Sequence, residues 1–331
     1  MHLIYQGVYK RLLEFLIGRG NRAGLLTEAE VNELSNTIDE ILPWIPSDFN
    51  RKHIRNFEFF SKFKVTELRR MLFYDSLVLL CNIRPSLWKC FLLLHAGTYI
   101  LASPTLVLQY ADLANTFLRQ FVKVAAHALG KHFVVYNVHS IIHVAEECRN
   151  HGHLDNFGAF KYENFLGTVR KILRSTYKPL QQLARRDKET KGHLAKPKSD
   201  LKDREIILSL PHSRDNNIVG EQYFSIELGG KAGTVLKVAK ADSCFKTKAG
   251  DIAILTNVIK SPEGEIFLAG HKFSVVEDYY DYPCPSSLLG IHKVSSLEEE
   301  ERRWKLSKYC CKCVLLPCSE TAYVSIPLLH C

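Results

Sequence analysis

Residues 186–204 read RDKETKGHLAKPKSDLKDR. Almost no large apolar side chain occurs there, so burial has nothing with which to offset the entropy of ordering the backbone, and the stretch reads as a linker. It separates two different patterns. On its N-terminal side the chain reads as helix after helix, punctuated by Pro43, Pro46, Pro85 and Pro104. On its C-terminal side, alternating or β-rich runs at 222–228, 234–238, 251–259, 265–276 and 311–316 are separated by Gly-Gly, Pro-Glu-Gly and similar turns. The fold class is therefore α+β. A mainly α-helical region covers 1–190, a basic linker 191–204, and a small antiparallel β-barrel-like domain 205–331.

Of the 331 residues, 46% are hydrophobic, which supplies a core and excludes wholesale disorder. Lys and Arg number 44 against 35 Asp and Glu, and the net charge of +9 suits an anionic partner. The ten cysteines sit singly through most of the chain and cluster only near its end, without the even spacing of a small secreted framework. Reduced thiols in an intracellular protein are the expectation. In the first twenty residues Lys10, Arg11 and Glu14 stand inside the apolar pattern rather than ahead of it, unlike a signal peptide. Between Lys89 and Asp112 no charged side chain occurs for 22 residues, but His95, Gln109 and the helix-starting pair Ser103-Pro104 interrupt the run. Two buried helices, not a membrane span, explain it.

Local signals fill in the pattern. Thr27-Glu28-Ala29-Glu30 matches a capping box, and residues 110–129 form a packed helix closed by Gly130. A short strand is expected at 133–136, a helix over 138–149 ending near Gly152, and a short solvated helix at 296–303, SLEEEERR, capped by Ser296.

His139 and His143 are four residues apart on one helix face, the geometry of paired metal ligands, with Glu146 and Glu147 on the next turn. Hydrogen-bonded histidines on a half-buried helix are the alternative. A zinc protease needs Glu directly after its first His, and Ser140 stands there, which excludes that chemistry. Glu163 opens an amphipathic helix over 162–174, whose apolar face is Phe165, Leu166, Val169, Ile172 and Leu173. A carboxylate in the first turn also simply complements the helix dipole. From Phe165 to Arg204 twelve Lys or Arg face four Asp or Glu. Arg170, Lys171, Arg174, Lys178, Arg185 and Arg186 either line one phosphate-facing surface or solvate a helix. Cys310, Cys311, Cys313, Cys318 and Cys331 either bind zinc or alternate along a buried strand; the paired Cys-x-x-Cys spacing of a ribbon is absent.

One ordered set of motifs goes further. MHLIYQGVYKRLL at 1–13, KVTELRRMLFY at 64–74, VVYNVHSIIHVAEECRNHGHLDNFGAFKYENFLGTVRKILR at 134–174 and PLQQ at 179–182 are followed by GDIAILTNVI, YDYPCPSSLLGI and KCVLLP. This order resembles the C-terminal part of animal CACTA, or EnSpm-like, DNA transposases. The resemblance implies an RNase H-like domain with a long helical insertion, and a triad of two Asp and one Glu holding two Mg²⁺ ions that stabilise the attacking and leaving oxygens. By motif, Glu163 in Phe160-Lys161-Tyr162-Glu163-Asn164 would be the third acid, with Glu67 as fallback. Read from its neighbours alone, Glu67 is a surface Glu in a first helical turn. In that family an Asp-x-x-His motif follows the second Asp, and Met1-His2 looks like its end, so His2 would mark the edge of the site.

The other two acids would then precede this stretch, since Asp39, Asp48, Asp75 and Asp112 sit on no convincing strand. The expectation is a transposase-derived, DNA-associated, nuclear protein that does not itself cut or join DNA, Mg²⁺ belonging to a full-length ancestor. The competing expectation is a protein-interaction or multimerisation module, binding itself or another protein without nucleic acid.

Overall fold

A π-helical turn, His2–Tyr9, runs into α1, Lys10–Ile17, and a two-residue ladder joins β1, Gly18–Arg19, to β2, Arg22–Ala23. This computed structural model describes residues 2–19, 22–49, 55, 57–175, 177–193, 206–214, 218–229 and 233–329. α2, Glu28–Ile41, opens on the expected capping box: Thr27 Oγ1 accepts the Glu30 N–H at 3.3 Å while Glu30 Oε2 accepts the Thr27 N–H at 2.6 Å. Then come α3, Val65–Arg70, and α4, Ser76–Leu79. The centre of the helical half is α5, Pro85–Ala102, in which every side chain from Cys90 to Ala102 is buried. Pro85 starts it where the missing N–H costs nothing, and Ser103 ends it, its Oγ accepting the Leu106 N–H at 3.3 Å.

α6, Leu106–Ala128, packs along α5. A Cβ on Gly97 would lie 2.8 Å from Leu118 Cδ2, so the absent side chain is what lets the two helices close. No helix among the described residues is long and apolar enough to cross a membrane. α7, Tyr136–Ser140, and α8, Val144–His151, are separated by a 3₁₀ turn at Ile141–His143 and end at Gly152, near the expected boundary. α9, Leu154–Phe157, leads to α10, Phe160–Ile172, and α11, Pro179–His193.

The C-terminal half is antiparallel throughout. Its strands are β3, Ile206–His212; β4, Glu221–Leu228; β5, Thr234–Lys237; β6, Cys244–Thr247; β7, Ile252–Lys260; β8, Ile266–Asp278; β9, His292–Leu297; β10, Arg302–Lys305; β11, Tyr309–Pro317; and β12, Ala322–Pro327. The pairings run β6 to β7 to β8 to β9 to β12 to β11 and return to β6. Two long strands make that circuit: the first part of β8 pairs with β7 and its last part with β9, while β11 pairs first with β6 and then with β12. The fold is α+β as the composition implies.

The hydrophobic core does not divide where the composition does. Tyr280, Ile291, Val314, Leu316, Val324 and Ile326 belong to the same buried cluster as the helices. Tyr99 Oη donates to the Pro327 carbonyl at 2.9 Å, Tyr279 Oη to the Leu77 carbonyl at 2.9 Å, and the Leu329 N–H to Tyr74 Oη at 3.0 Å. Alternation along β11 turns Val314 and Leu316 toward this cluster and Cys313 and Leu315 toward another, with Cys244, Ile252, Phe273 and Val294.

Three local expectations are corrected. Residues 133–136 form no strand, because Phe133 closes a 3₁₀ turn and Tyr136 opens α7. Residues 296–303 form no helix. Ser296 and Leu297 end β9, Arg302 and Arg303 begin β10, and of the acids between them Glu298 lies 3.5 Å from Lys272 and 2.8 Å from Arg302. The stretch expected as linker is helical as far as His193, supported by Arg185 and Arg186 against Glu189 at 3.3 and 2.8 Å; residues 194–205 lie outside the described ones.

Candidate nucleic-acid interface

The base of α10 is fixed to the body by one ionic chain. Arg69 of α3 donates to Asp155 of α9 at 2.6 Å, and the buried Tyr5 phenol of the first helical turn bonds the same guanidinium. Burial holds that phenol above its ordinary range, against the lowering effect of the Arg69 charge. Beyond this tether α10 and α11 pack principally against each other.

The side chain of Gln182 makes the corner between them. Its Oε1 accepts the Arg174 N–H at 3.1 Å, and its Nε2 donates to Ser175 Oγ at 3.0 Å and the Ser175 carbonyl at 3.3 Å, and also to the Tyr177 carbonyl. Lys178 completes the turn at φ +44°, and Pro179 supplies the first residue of α11. Gln182→Leu removes these bonds at similar volume. Amide exchange over 174–178 is expected to accelerate by about tenfold, a loss of about 1–2 kcal/mol of local order, with the global melting transition nearly unchanged. Unaltered exchange there would show that the corner is held by something else.

The six basic residues, read either as one phosphate-facing surface or as a solvated helix, divide into two groups. Arg170 near the end of α10 and Arg174 just beyond it line an open cleft of about 440 Å³ with Leu173, Ser175 and Pro179. Lys171 is exposed beside them, and the Lys178 ammonium stands 5.0 Å from the centre of the Tyr177 ring. Arg185 and Arg186 turn instead to Glu189. The apolar face of α10 is open in part: Phe165 is 65% and Leu166 60% exposed while Val169, Ile172 and Leu173 are half-buried, with Tyr162, Tyr177 and Leu180 exposed on the same arm. Periodicity marks a face for burial, and among the described residues only its C-terminal part is partly covered.

The catalytic candidates are placed as follows. Glu163 lies in the first turn of α10, and its side chain is outside the described residues. Glu67 is buried rather than on the surface, because α3 packs against the turn His2–Tyr9, and its Oε2 accepts the Lys64 N–H at 2.6 Å. That carboxylate is engaged in capping a helix and is not presented to a metal pair. His2 is exposed at the start of the first helical turn. His139 and His143 are both exposed, rings edge to face with centroids 5.9 Å apart, while Glu147 turns to His151 at 3.6 Å. Among the described residues no three His, Cys, Asp or Glu side chains gather as ligands would.

Near the C-terminus, Cys313 is buried against Cys244 and Cys311, and the thiol of Cys313 is held above its ordinary range by its hydrogen bond to Cys244 as well as by burial. Cys311 and Cys313 are alternating positions of β11, and Cys244 opens β6. Cys310 is exposed, and Cys331 lies outside the described residues. Sequence reasoning missed Gln182, Arg69 and Asp155 as organisers of the arm; the signals were the motifs that contain them, PLQQ, KVTELRRMLFY and HLDNF.

A family model described as a domain of unknown function, DUF8592, matches residues 211–328, the strand-bearing part and not the arm. No curated protein and no solved structure matches the chain.

Proposed function

We propose that this chain is a transposase-derived, DNA-associated protein that contacts the phosphate backbone with the α10–α11 arm and does not itself perform strand chemistry. The observation that carries the reading is the pair Arg170 and Arg174 converging on an open cleft, in an arm where cations predominate. Guanidinium groups suit phosphate because their planar donors match its oxygens. The motif order that resembles CACTA transposases supports the same ancestry and a nuclear residence, and the ring of strand pairings supports a small β-barrel as the companion of the helical part.

The test is fluorescence anisotropy with duplex DNA across a salt series. Affinity should fall steeply with salt, and Arg170→Gln with Arg174→Gln should weaken binding about tenfold or more and lessen the log–log salt slope by about 2. Absence of any salt-sensitive binding would end this reading. A second reading, a multimerisation module, is favoured by Phe165, Leu166 and Leu180 standing exposed on one arm, more apolar surface than a solvated helix displays.

A further inference from the structure

We infer that Cys310, Cys311, Cys313 and Cys244 form a thiol relay that reduces a hydroperoxide at the surface and keeps the oxidation as a Cys244–Cys313 disulfide between β11 and β6. This stands apart from the DNA reading. The four thiols make one string: Cys310 is in hydrogen-bond contact with Cys311, Cys311 with Cys313, and Cys313 with Cys244. Cys310 is exposed, Cys311 half-buried, and Cys313 and Cys244 each 1% exposed, so the string leads from solvent into the core.

Local backbone geometry makes the string. Strict alternation would send Cys310 and Cys311 to opposite faces of β11. Instead the ladder slips there: Tyr309 faces Thr247 and Cys311 faces Lys246, which leaves Cys310 as the extra residue of a bulge that re-aims its side chain beside Cys311. Past the bulge, alternation returns Cys311 and Cys313 to one face. Lys312 faces Phe245, so the next step of the antiparallel ladder sets Cys313 opposite Cys244.

The same geometry decides where an S–S bond comes to rest. Disulfides span Cα separations of about 4.4–6.8 Å. Sequence neighbours, at about 3.8 Å, strain a Cys310–Cys311 bond. Residues two apart on a strand, at about 6.6 Å, stand at the far limit, whereas opposite residues of antiparallel strands, at about 4.5–5.5 Å, fall inside the range. Exchange therefore runs inward.

The chemistry closes with a hydroperoxide as oxidant. The Lys246 and Lys248 charges favour a Cys310 thiolate, which attacks a peroxide oxygen; the O–O bond breaks, and the leaving hydroxide takes up a proton, giving a sulfenic acid and water. The Cys311 thiolate attacks that sulfur, the S–O bond breaks, and a second water leaves. Cys313 then attacks the Cys311 sulfur and frees Cys310, and Cys244 attacks the Cys313 sulfur and frees Cys311. Two thiols and one hydrogen peroxide thus give one disulfide and two waters. Partial burial and the contact with Cys311 hold the Cys310 thiol above its ordinary range despite the two cations, so the reaction is slow at neutral pH.

The experiment treats the reduced full chain with stoichiometric hydrogen peroxide at about pH 8.5, quenches by alkylation and maps the peptides by mass spectrometry with and without dithiothreitol. A reversible Cys244–Cys313 cross-link within one chain is expected, with Cys310 recovered as a thiol. Cys310→Ser, at an exposed site, should form that cross-link at least about tenfold more slowly, and circular dichroism establishes that the variant is folded.

Cys310 ending as a sulfinic or sulfonic acid, cross-links between chains, or a cross-link of Cys81 with Cys318, which line a separate cleft, overturns the inference. So does a Cys310→Ser protein that cross-links at the parental rate, since the peroxide would then enter without the exposed thiol. None of these outcomes bears on DNA binding.

Discussion

Lys312→Met is expected to cost about 3–5 kcal/mol of folding stability. Lys312 is fully buried in β11, and its ammonium donates to Asp242 Oδ1 at 2.7 Å, to the Val235 carbonyl at 2.6 Å and to Asp48. The same Asp242 oxygen accepts the Ser47 N–H at 2.8 Å and the Ser47 hydroxyl at 3.0 Å. Ser47 and Asp48 belong to the helical half, Lys312 and Asp242 to the strands, so one ammonium ties the two halves together. Nearby, Lys240 sits 3.9 Å over the Trp44 ring, which packs on Tyr323. Methionine fills the stem's volume but leaves two carboxylates facing each other out of water. Adding Asp48→Asn and Asp242→Asn to Lys312→Met should recover most of the loss, because the penalty lies in the stranded charges rather than in the missing contact. Chemical denaturation of the three proteins measures this.

The pH dependence has a definite sign. Burial alone would raise the Asp242 carboxyl, but the hydrogen bond and charge of Lys312, with the Ser47 donors, outweigh it and hold the group below its ordinary range. Its contribution is therefore present above the ordinary carboxylate value and is lost as pH falls through the lower, folded one. In Lys312→Met only the Ser47 donors still oppose burial, and the folded value rises. Acid then relieves the variant while it destabilises the parent, and the gap between them should narrow below about pH 5. A gap that stays constant down to pH 3 would mean that water has taken the place of the ammonium.

What the sequence made legible follows from how far each signal reaches. Runs at 222–228, 234–238, 251–259, 265–276 and 311–316 fall on β4, β5, β7, β8 and β11, where several β-branched or aromatic residues sit together. β6 and β10 are only four residues long, and Arg302, Arg303 and Lys305 give β10 a surface composition. Its pairing with β8 is a tertiary fact that a local pattern does not contain. The same limit explains the acids. Glu67 was read correctly as a first-turn carboxylate, but its burial depends on α3 packing against a segment some sixty residues earlier. Lys312 did leave a trace: a lone cation in CCKCVLLP, at the centre of an apolar strand, requires buried partners. Arg170 and Arg174 were legible through the density of cations after Phe165, whereas the exposure of Phe165 was not, because amphipathic periodicity states which face seeks cover and is silent on what provides it.

Arg70→Met is expected to cost about 3 kcal/mol at neutral pH, for a related reason with the opposite pH sign. Arg70 Nε donates to Asp75 Oδ2 at 2.9 Å inside the helical core, both side chains almost wholly enclosed, and Asp75 Oδ1 has no hydrogen-bond partner among the described residues. Burial raises the Asp75 carboxyl, and the guanidinium offsets only part of that rise. A folded value above the unfolded one gives stability that is full below the ordinary carboxylate range and declines as pH climbs through the folded value. Asp75 and Asp242 thus pull the stability curve in opposite directions, although each is a buried acid facing a cation. The difference lies in the number of donors: Asp242 has an ammonium, an amide and a hydroxyl, whereas Asp75 has one guanidinium nitrogen and an orphaned oxygen. With Arg70 replaced, the acid must either stay charged without compensation or take up a proton. Asp75→Asn in that background should therefore restore more than about 1 kcal/mol at pH 7 and nothing below about pH 4, where the acid is already neutral. Equal stability of the single and double variants at pH 7 would show that Asp75 needs no counter-charge, and that its raised carboxyl is set by burial alone.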